Sequence, residues 1–349
     1  MPGTDDRCGF VPDGSEVADK GVTCCWRPVW ADREHCIWHA SIGEKSWELL
    51  EPHASSLGDR LDGAKLRGAS LSRTDLFAGC TLIGADFTGA TCIETDFSGA
   101  DLRWTEFNDC NLTGANYAHA TLEDTTFVRA DLRDADFRRA RLYRTVFADA
   151  HVNSQTAFDK ELVYETRMRN ATDAGTKTEL GEAAAWTYRR LDRLLRQNAV
   201  AKRRHRFYTR AHDVRRRLAW VNDNYLKALK LEGSRWVMRY GVSPWRVLAV
   251  SGLLVLVSAF LYPLTGGIQE TAGQTTLTYT IEEPTSPVLW HVSRTYVKSL
   301  YFSVVTYATL GYGDIQPVGL WARFLAGLET ILGSLLIAIL VFVLTRSVE

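Results

Sequence analysis

The chain changes its hydrophobic rhythm three times along its 349 residues. From Leu82 an apolar residue returns at every fifth position, through Phe87, Cys92, Phe97, Leu102 and Phe107 to Phe147 and Val152. Two residues before each stands a small one: Ala85, Ala90, Thr95, Ala100 and so on to Ala150. Leu61, Leu66, Leu71 and Leu76 open the pattern, and one extra residue before Leu82 shifts its phase. A period of five fits neither the helical repeat of about 3.6 nor the strand repeat of about 2. It predicts a square solenoid with five-residue sides, the apolar residue and its small partner facing inward. Such a stack is quasi-one-dimensional and needs capped ends.

The second rhythm is helical. Thr176–Tyr240 lacks proline and is rich in Ala, Leu and Arg, and Ala185, Tyr188, Leu191 and Leu195 recur at helical spacing, as do Trp186 and Leu194. Two or three amphipathic helices are expected. They form either a packed linker or a transmission element on the inner membrane face, with Trp236, Tyr240 and Trp245 as interfacial anchors.

The third rhythm is continuous apolarity. Val247–Tyr262 carries no charge and with its flanks approaches the roughly 20 residues that span a bilayer core. Leu320–Leu344 is a second run, interrupted by Arg323 and Glu329. The polar segment Gly266–Pro287 lies between them, followed by Trp290–Thr309, of which Ser299–Thr309 reads as a short helix.

Between that helix and the second apolar run stands Tyr307-Ala-Thr-Leu-Gly-Tyr-Gly-Asp-Ile315. Glycines tolerate backbone angles that side chains oppose, so an extended Thr309–Gly313 strand can turn its carbonyls to one side. Four such strands around an axis would replace the hydration shell of a cation. The segment resembles the potassium-channel selectivity filter, with Leu310 where valine is usual, and Pro244 to Ser347 resembles the two-helix potassium-channel pore. That resemblance implies a homotetramer selective for K+, with carbonyls from Thr309, Leu310, Gly311 and Tyr312, then Gly313, and Asp314 capping the outer end. Tyr312 would pack on Tyr301 or Phe302 of a pore helix, and Gly333 falls where the family often has a flexible hinge. Val305 occupies the place where several relatives carry an acid behind the filter. Glu329 either replaces that acid as a partner for backbone or tyrosine hydroxyls, or faces the conduction path. A carboxylate within a spanning helix is costly and usually functional.

The five-residue rhythm resembles the pentapeptide-repeat family; Ala100-Asp101-Leu102, Ala130-Asp131-Leu132 and Ala135-Asp136-Phe137 fit its pattern directly. The expected fold is therefore a multidomain membrane protein: a right-handed quadrilateral β-helix, an α-helical linker and an α-helical two-span tetrameric pore. The divisions are 1–57, 58–155, 156–243 and 244–349, with spanning helices near 245–265 and 319–346, a pore helix near 292–309 and a filter at 309–314.

Charge sets orientation. Lys202-Arg203-Arg204-His205-Arg206 and Arg215-Arg216-Arg217 precede the first apolar run, and basic residues beside a span stay cytoplasmic. The N-terminal parts are then inside a plasma membrane, the Gly266–Pro287 loop is outside, and Arg346 returns inside; a prokaryotic source suits this plan. No spanning segment carries regularly spaced arginines, which argues against voltage sensing. With the chain ending at Glu349, gating input would come through the linker. A net charge of +0 and a mean hydropathy of −0.14 suit a large soluble part joined to a small membrane part, with no nucleic-acid partner and no catalytic constellation. The solenoid reads as a scaffold or assembly surface for an unidentified cytoplasmic partner. A membrane-anchored scaffold or sensor and a non-selective cation pore are the rival readings.

The N-terminal segment adds Cys8, Cys24, Cys25, Cys36 and His39, with Cys36 and His39 three apart. Thiolates and an imidazole suit tetrahedral Zn2+. Cys8, Cys25, Cys36 and His39 are the expected ligands; Cys24 competes with Cys25, and His35 with His39. Cys80, Cys92 and Cys110 fall on inward solenoid positions and read as core.

Overall fold

A computed structural model describes residues 7–11, 25–31, 33–54, 58–272, 275–280 and 288–348. The chain divides into two compact units, Met1–Ala228 and Leu229–Glu349.

The first unit is built on the solenoid. Parallel bridges link residues twenty apart, Thr81 to Asp101, Asp101 to Thr121 and Thr121 to Arg141, so each coil consumes four five-residue sides. Along the stack the inward apolar residues donate their amides to the next coil, as Leu82 does to Asp101 O at 2.8 Å and Leu102 to Thr121 O at 2.8 Å. The expected β-helix contains almost no strand. A turn occupies each corner, which leaves a single bridge residue per side. At these corners the second turn residue has positive φ, supplied by Gly84, Gly89 and Gly99 and, at a steric cost, by Trp104 and Arg129.

The core is a pair of aromatic ladders on opposite sides. Phe77, Phe97, Tyr117, Phe137 and Phe158 stack at 5.0–5.3 Å between centroids. Phe87, Phe107, Phe127 and Phe147 stack at 4.8–5.4 Å. The ladders meet edge to face, as Phe87 does Phe97 at 5.7 Å, an arrangement the ring quadrupole favours. Buried Thr95, Thr105 and Thr125 donate to Leu71 O, Leu82 O and Leu102 O. The phase shift lies earlier than the sequence suggested: Phe77, not Leu76, is fully buried, so the extra residue falls between Leu71 and Phe77.

Helices close the far end. α1 (Val163–Asn170), α2 (Ala174–Gln197) and α3 (Ala201–Val221) contribute Tyr164, Met168, Tyr188, Leu191 and Phe207 to the solenoid's own hydrophobic core. Asn198 donates to Ala150 O at 2.9 Å and accepts from the Val152 amide at 3.0 Å, serving backbone groups that no further coil can reach. Fully buried Glu165 accepts from Tyr188, Arg210 and Arg217 at 2.6, 3.1 and 3.1 Å and so ties the three helices together. α4 (Tyr225–Met238) runs across the division between units.

In the second unit α5 (Pro244–Leu261) is followed by a 3₁₀ turn, Tyr262–Leu264; α6 is Val288–Tyr307 and α7 is Gly319–Val348. Pro244–Leu264 and Gly319–Thr345 are long and apolar enough to cross a membrane. The loop expected after the first span instead forms β1 (Ile268–Ala272) and β2 (Thr275–Tyr279), joined by β3 (Ile315–Pro317) in the order β2-β1-β3, all antiparallel.

The solenoid core predicts a stabilising substitution. The Tyr117 hydroxyl is buried in the Phe ladder without a hydrogen-bond partner, and an unsatisfied buried hydroxyl costs about 1–3 kcal/mol. Tyr117→Phe keeps the ring stack and removes that cost. Thermal melting should show a higher transition for this unit; a lower one would mean that the hydroxyl has a partner, such as a buried water.

Candidate functional site

The segment between α6 and β3 has an unusual backbone. φ is positive at Thr309, Gly311 and Gly313 and at neither residue between them. Alternating the sign of φ rotates successive peptides so that their carbonyls share one side, instead of alternating as in a β-strand. Among the described residues, nothing donates a hydrogen bond to the carbonyls of Leu310, Gly311 or Tyr312. A Cβ at Gly311 or Gly313 would meet no neighbour, so conformation and not space explains these two glycines.

Both ends of this strand are fixed. At its start the amides of Thr309 and Leu310 donate back to Thr306 O and Val305 O of α6. At its end the Tyr301 hydroxyl donates to Asp314 Oδ2 at 2.9 Å, and Ile315 pairs directly with Glu270 of β1. β1 is itself held to α6, because Lys298 Nζ lies 2.7 Å from Glu270 Oε1, while the Tyr279 hydroxyl of β2 lies 2.7 Å from Oε2. These bonds hold Glu270 below the usual carboxylate range, with Lys298 the main cause. Tyr312 is exposed within the single chain, whereas Phe302 is buried against Tyr262 at 4.8 Å between ring centroids.

Glu329 of α7 is buried. Its carboxyl accepts from the Tyr262 hydroxyl at 2.6 Å and from Ser303 Oγ of α6, which also lies 2.9 Å from Val255 O of α5. Three elements therefore converge on one side chain. One turn on, Gly333 touches the end of α6: a Cβ there would lie 2.7 Å from Tyr307 O. Tyr307 in turn donates to Ser251 of α5 at 2.7 Å. Ser303, Tyr262 and Ser251 escaped the sequence reading because single hydroxyls in apolar runs carry no periodic signal.

In the first unit, the ligand atoms of Cys8, Cys25, Cys36 and His39 all lie within 4.8 Å of one another. Cys24 lies outside the described residues. His35 points elsewhere, its Nδ1 being 3.0 Å from Cys8 O. The hydrogen bond with Cys36 is the main cause that lowers the pKa of the Cys25 thiol.

Comparison with known proteins adds two matches. A family model described as ion channel covers residues 268–349, beginning after α5, and one described as pentapeptide repeats, in eight copies, covers 76–114 and 105–144. Among solved structures, the chain is similar to a pentapeptide repeat protein, Rfr23, from the cyanobacterium Cyanothece 51142, at 21% identity over 32% of this chain and 95% of that one, with a TM-score of 0.21. A pentapeptide repeat protein of the Arabidopsis thaliana thylakoid lumen is similar at 22% identity over 38% of this chain and 80% of that one, with a TM-score of 0.24. No curated protein matches the chain significantly.

The Glu329 network predicts a graded response. Glu329→Gln keeps an acceptor oxygen for one hydroxyl, and its amide N–H can donate to the oxygen of the other. Glu329→Val leaves the Tyr262 hydroxyl without this acceptor, at about 1–3 kcal/mol, and leaves Ser303 with Val255 O alone. Melting of the full chain in detergent should therefore show a much larger loss for Val than for Gln; equal losses would mean that the carboxyl's charge, not its hydrogen bonding, holds α5, α6 and α7 together.

Proposed function

From a membrane chain that joins pentapeptide repeats to an ion-channel segment, we propose a homotetrameric, potassium-selective channel in which Thr309–Gly313 of four copies line one conduction path. The observation that carries this reading is the run of unpaired carbonyls on a strand of alternating φ. Unpaired backbone carbonyls are costly unless something takes their hydrogen-bonding capacity, and a dehydrated cation does so when carbonyls surround it. One chain supplies one strand, so a closed ring needs four copies. The exposed apolar side chains of α7, among them Phe324, Ile331 and Leu335, provide surface for both lipid and neighbouring copies.

Supporting groups follow from the same geometry. Glu329 is engaged inside its own subunit, which supports a role as a brace for α6 behind the filter in preference to one lining the path. Asp314 would stand at the outer mouth, restrained by Tyr301. α6 has twenty residues; at about 1.5 Å each it is longer than half a bilayer, so its charged N-terminal part, with Arg294 and Lys298, would rise with the sheet above the outer surface. The basic α3 sequence before the first span favours a cytoplasmic first unit at a plasma membrane, and the mildly acidic, repeat-built solenoid favours an assembly or gating role over nucleic-acid binding.

Purified protein in liposomes should pass K+ far faster than Na+ and be blocked by Ba2+. Gly311→Ala and Gly313→Ala should each abolish flux while the tetramer persists on size-exclusion chromatography, since a side chain opposes positive φ at these positions. Equal K+ and Na+ fluxes would replace this reading with a non-selective cation pore; no flux from an intact tetramer would favour a membrane-anchored scaffold.

A further inference from the structure

We propose that Cys8, Cys25, Cys36 and His39 bind one structural Zn2+ that staples the N-terminal cap onto the first coil of the solenoid. Two local structures present the ligands. Cys8 and Cys25 lie on the two sides of a short antiparallel ribbon, in which the Cys8 amide bonds Arg27 O at 2.8 Å, the Gly9 amide Cys25 O at 2.9 Å and the Cys25 amide Phe10 O at 3.0 Å. Cys36 and His39 share one tight turn, closed by the His39 and Ala40 amides on Cys36 O at 3.0 and 2.8 Å.

The spacing between ligand atoms fits a tetrahedral ion. Zn–S bonds of about 2.3 Å and Zn–N bonds of about 2.0 Å imply tetrahedral edges of about 3.8 Å between sulfurs and about 3.5 Å between sulfur and nitrogen. Cys25 Sγ and Cys36 Sγ are 3.8 Å apart, and His39 Nδ1 is 3.4 Å from Cys8 Sγ and 3.3 Å from Cys36 Sγ. The histidine is also set in the required tautomer. Its Nε2 lies 2.9 Å from Asp62 O, a carbonyl that can only accept, so Nε2 carries the proton and Nδ1 presents its lone pair to the thiols. A ligating imidazole characteristically gives its other N–H to such an acceptor. Three thiolates and an imidazole favour zinc over the hard cations. Four protein ligands close the coordination sphere, which marks a structural rather than a catalytic ion. A cavity of about 480 Å³ reaches Cys25 and His39 and gives the ion a route in.

The same residues form the cap. The first coil has no coil before it to accept its amides, so Lys65 N donates to Trp38 O and Ser70 N to Lys45 O, each at 2.8 Å. Ile37, Trp38 and Leu50 are buried in the same hydrophobic core as Leu61 and Leu66. His39 and Arg27 reach the first coil through Asp62 O and Arg60 O. Much of this cap is loop, and the free energy of metal binding can hold such a segment folded.

The test uses the full chain in detergent, purified without chelator. Elemental analysis should find about one zinc per chain, and replacement by Co2+ should give the visible absorption of a tetrahedral thiolate site. Cys36→Ser should lower the metal content about tenfold or more, whereas His39→Cys should retain it, because four thiolates also suit zinc. Removing zinc from the wild-type chain should speed amide exchange in peptides covering Leu61–Leu71 and leave those covering Thr121–Leu132 unchanged. Wild-type protein with no stoichiometric metal, with iron in its place or with a Cys25–Cys36 disulfide would overturn the zinc site. Bound zinc whose removal leaves exchange of the first coil unaltered would overturn its role as a staple.

Discussion

Backbone carbonyls and amides must find partners, and this chain is organised around where they do and where they do not. In the solenoid successive coils satisfy one another, with bonds near 2.8 Å repeated from Leu61 to Phe137 and interrupted at Phe77, where the phase shifts. The two ends of the stack each receive a dedicated cover. In the second unit the carbonyls of Leu310, Gly311 and Tyr312 receive no donor among the described residues, and the surrounding contacts make sense as restraints on a strand that has no ladder of its own.

Those restraints are polar and fall at points where an apolar unit has few alternatives. Glu329 joins α7 to Tyr262 and Ser303, and Tyr301 joins α6 to Asp314. Hydrogen bonds to a buried carboxyl are stronger than those in water, and an unmatched member is correspondingly costly. Steric contact adds to them, since Gly333 lets α7 approach the last carbonyl of α6, where any Cβ would collide. β3 carries the restraint across the outer end through its pairing with β1. The strand is thereby held by elements on both sides of it in sequence.

The first unit solves the same problem with different materials. The helical end uses long side chains: Asn198 for exposed backbone groups, and Glu165 to gather Tyr188, Arg210 and Arg217. The N-terminal end is short of apolar residues and relies on backbone bonds and the cysteine–histidine cluster. Between them, the ladder of rings is long enough that its interior depends little on either end, as expected for a quasi-one-dimensional stack.

The sequence by itself determined whatever is periodic or local. The five-residue repeat specifies the solenoid and its inward positions, continuous apolarity specifies two spanning-length helices, and two glycines flanking Tyr312 mark the one strand that requires positive φ. Residue type and spacing also singled out the cysteines and histidine that the fold gathers. Only the tertiary structure decided the rest. Adjacent Leu76 and Phe77 are equally apolar, and packing against Phe87 and Phe97 chooses the second. Which histidine faces the thiols is set by Asp62 O, 23 residues away. The partners of Glu329 lie 67 and 26 residues distant, and β1 pairs with residues beyond the whole of α6. The physical reason is common to all of these: hydrogen bonds between distant single side chains or strand edges have no repeat along the chain, so they become visible only when folding brings their ends together.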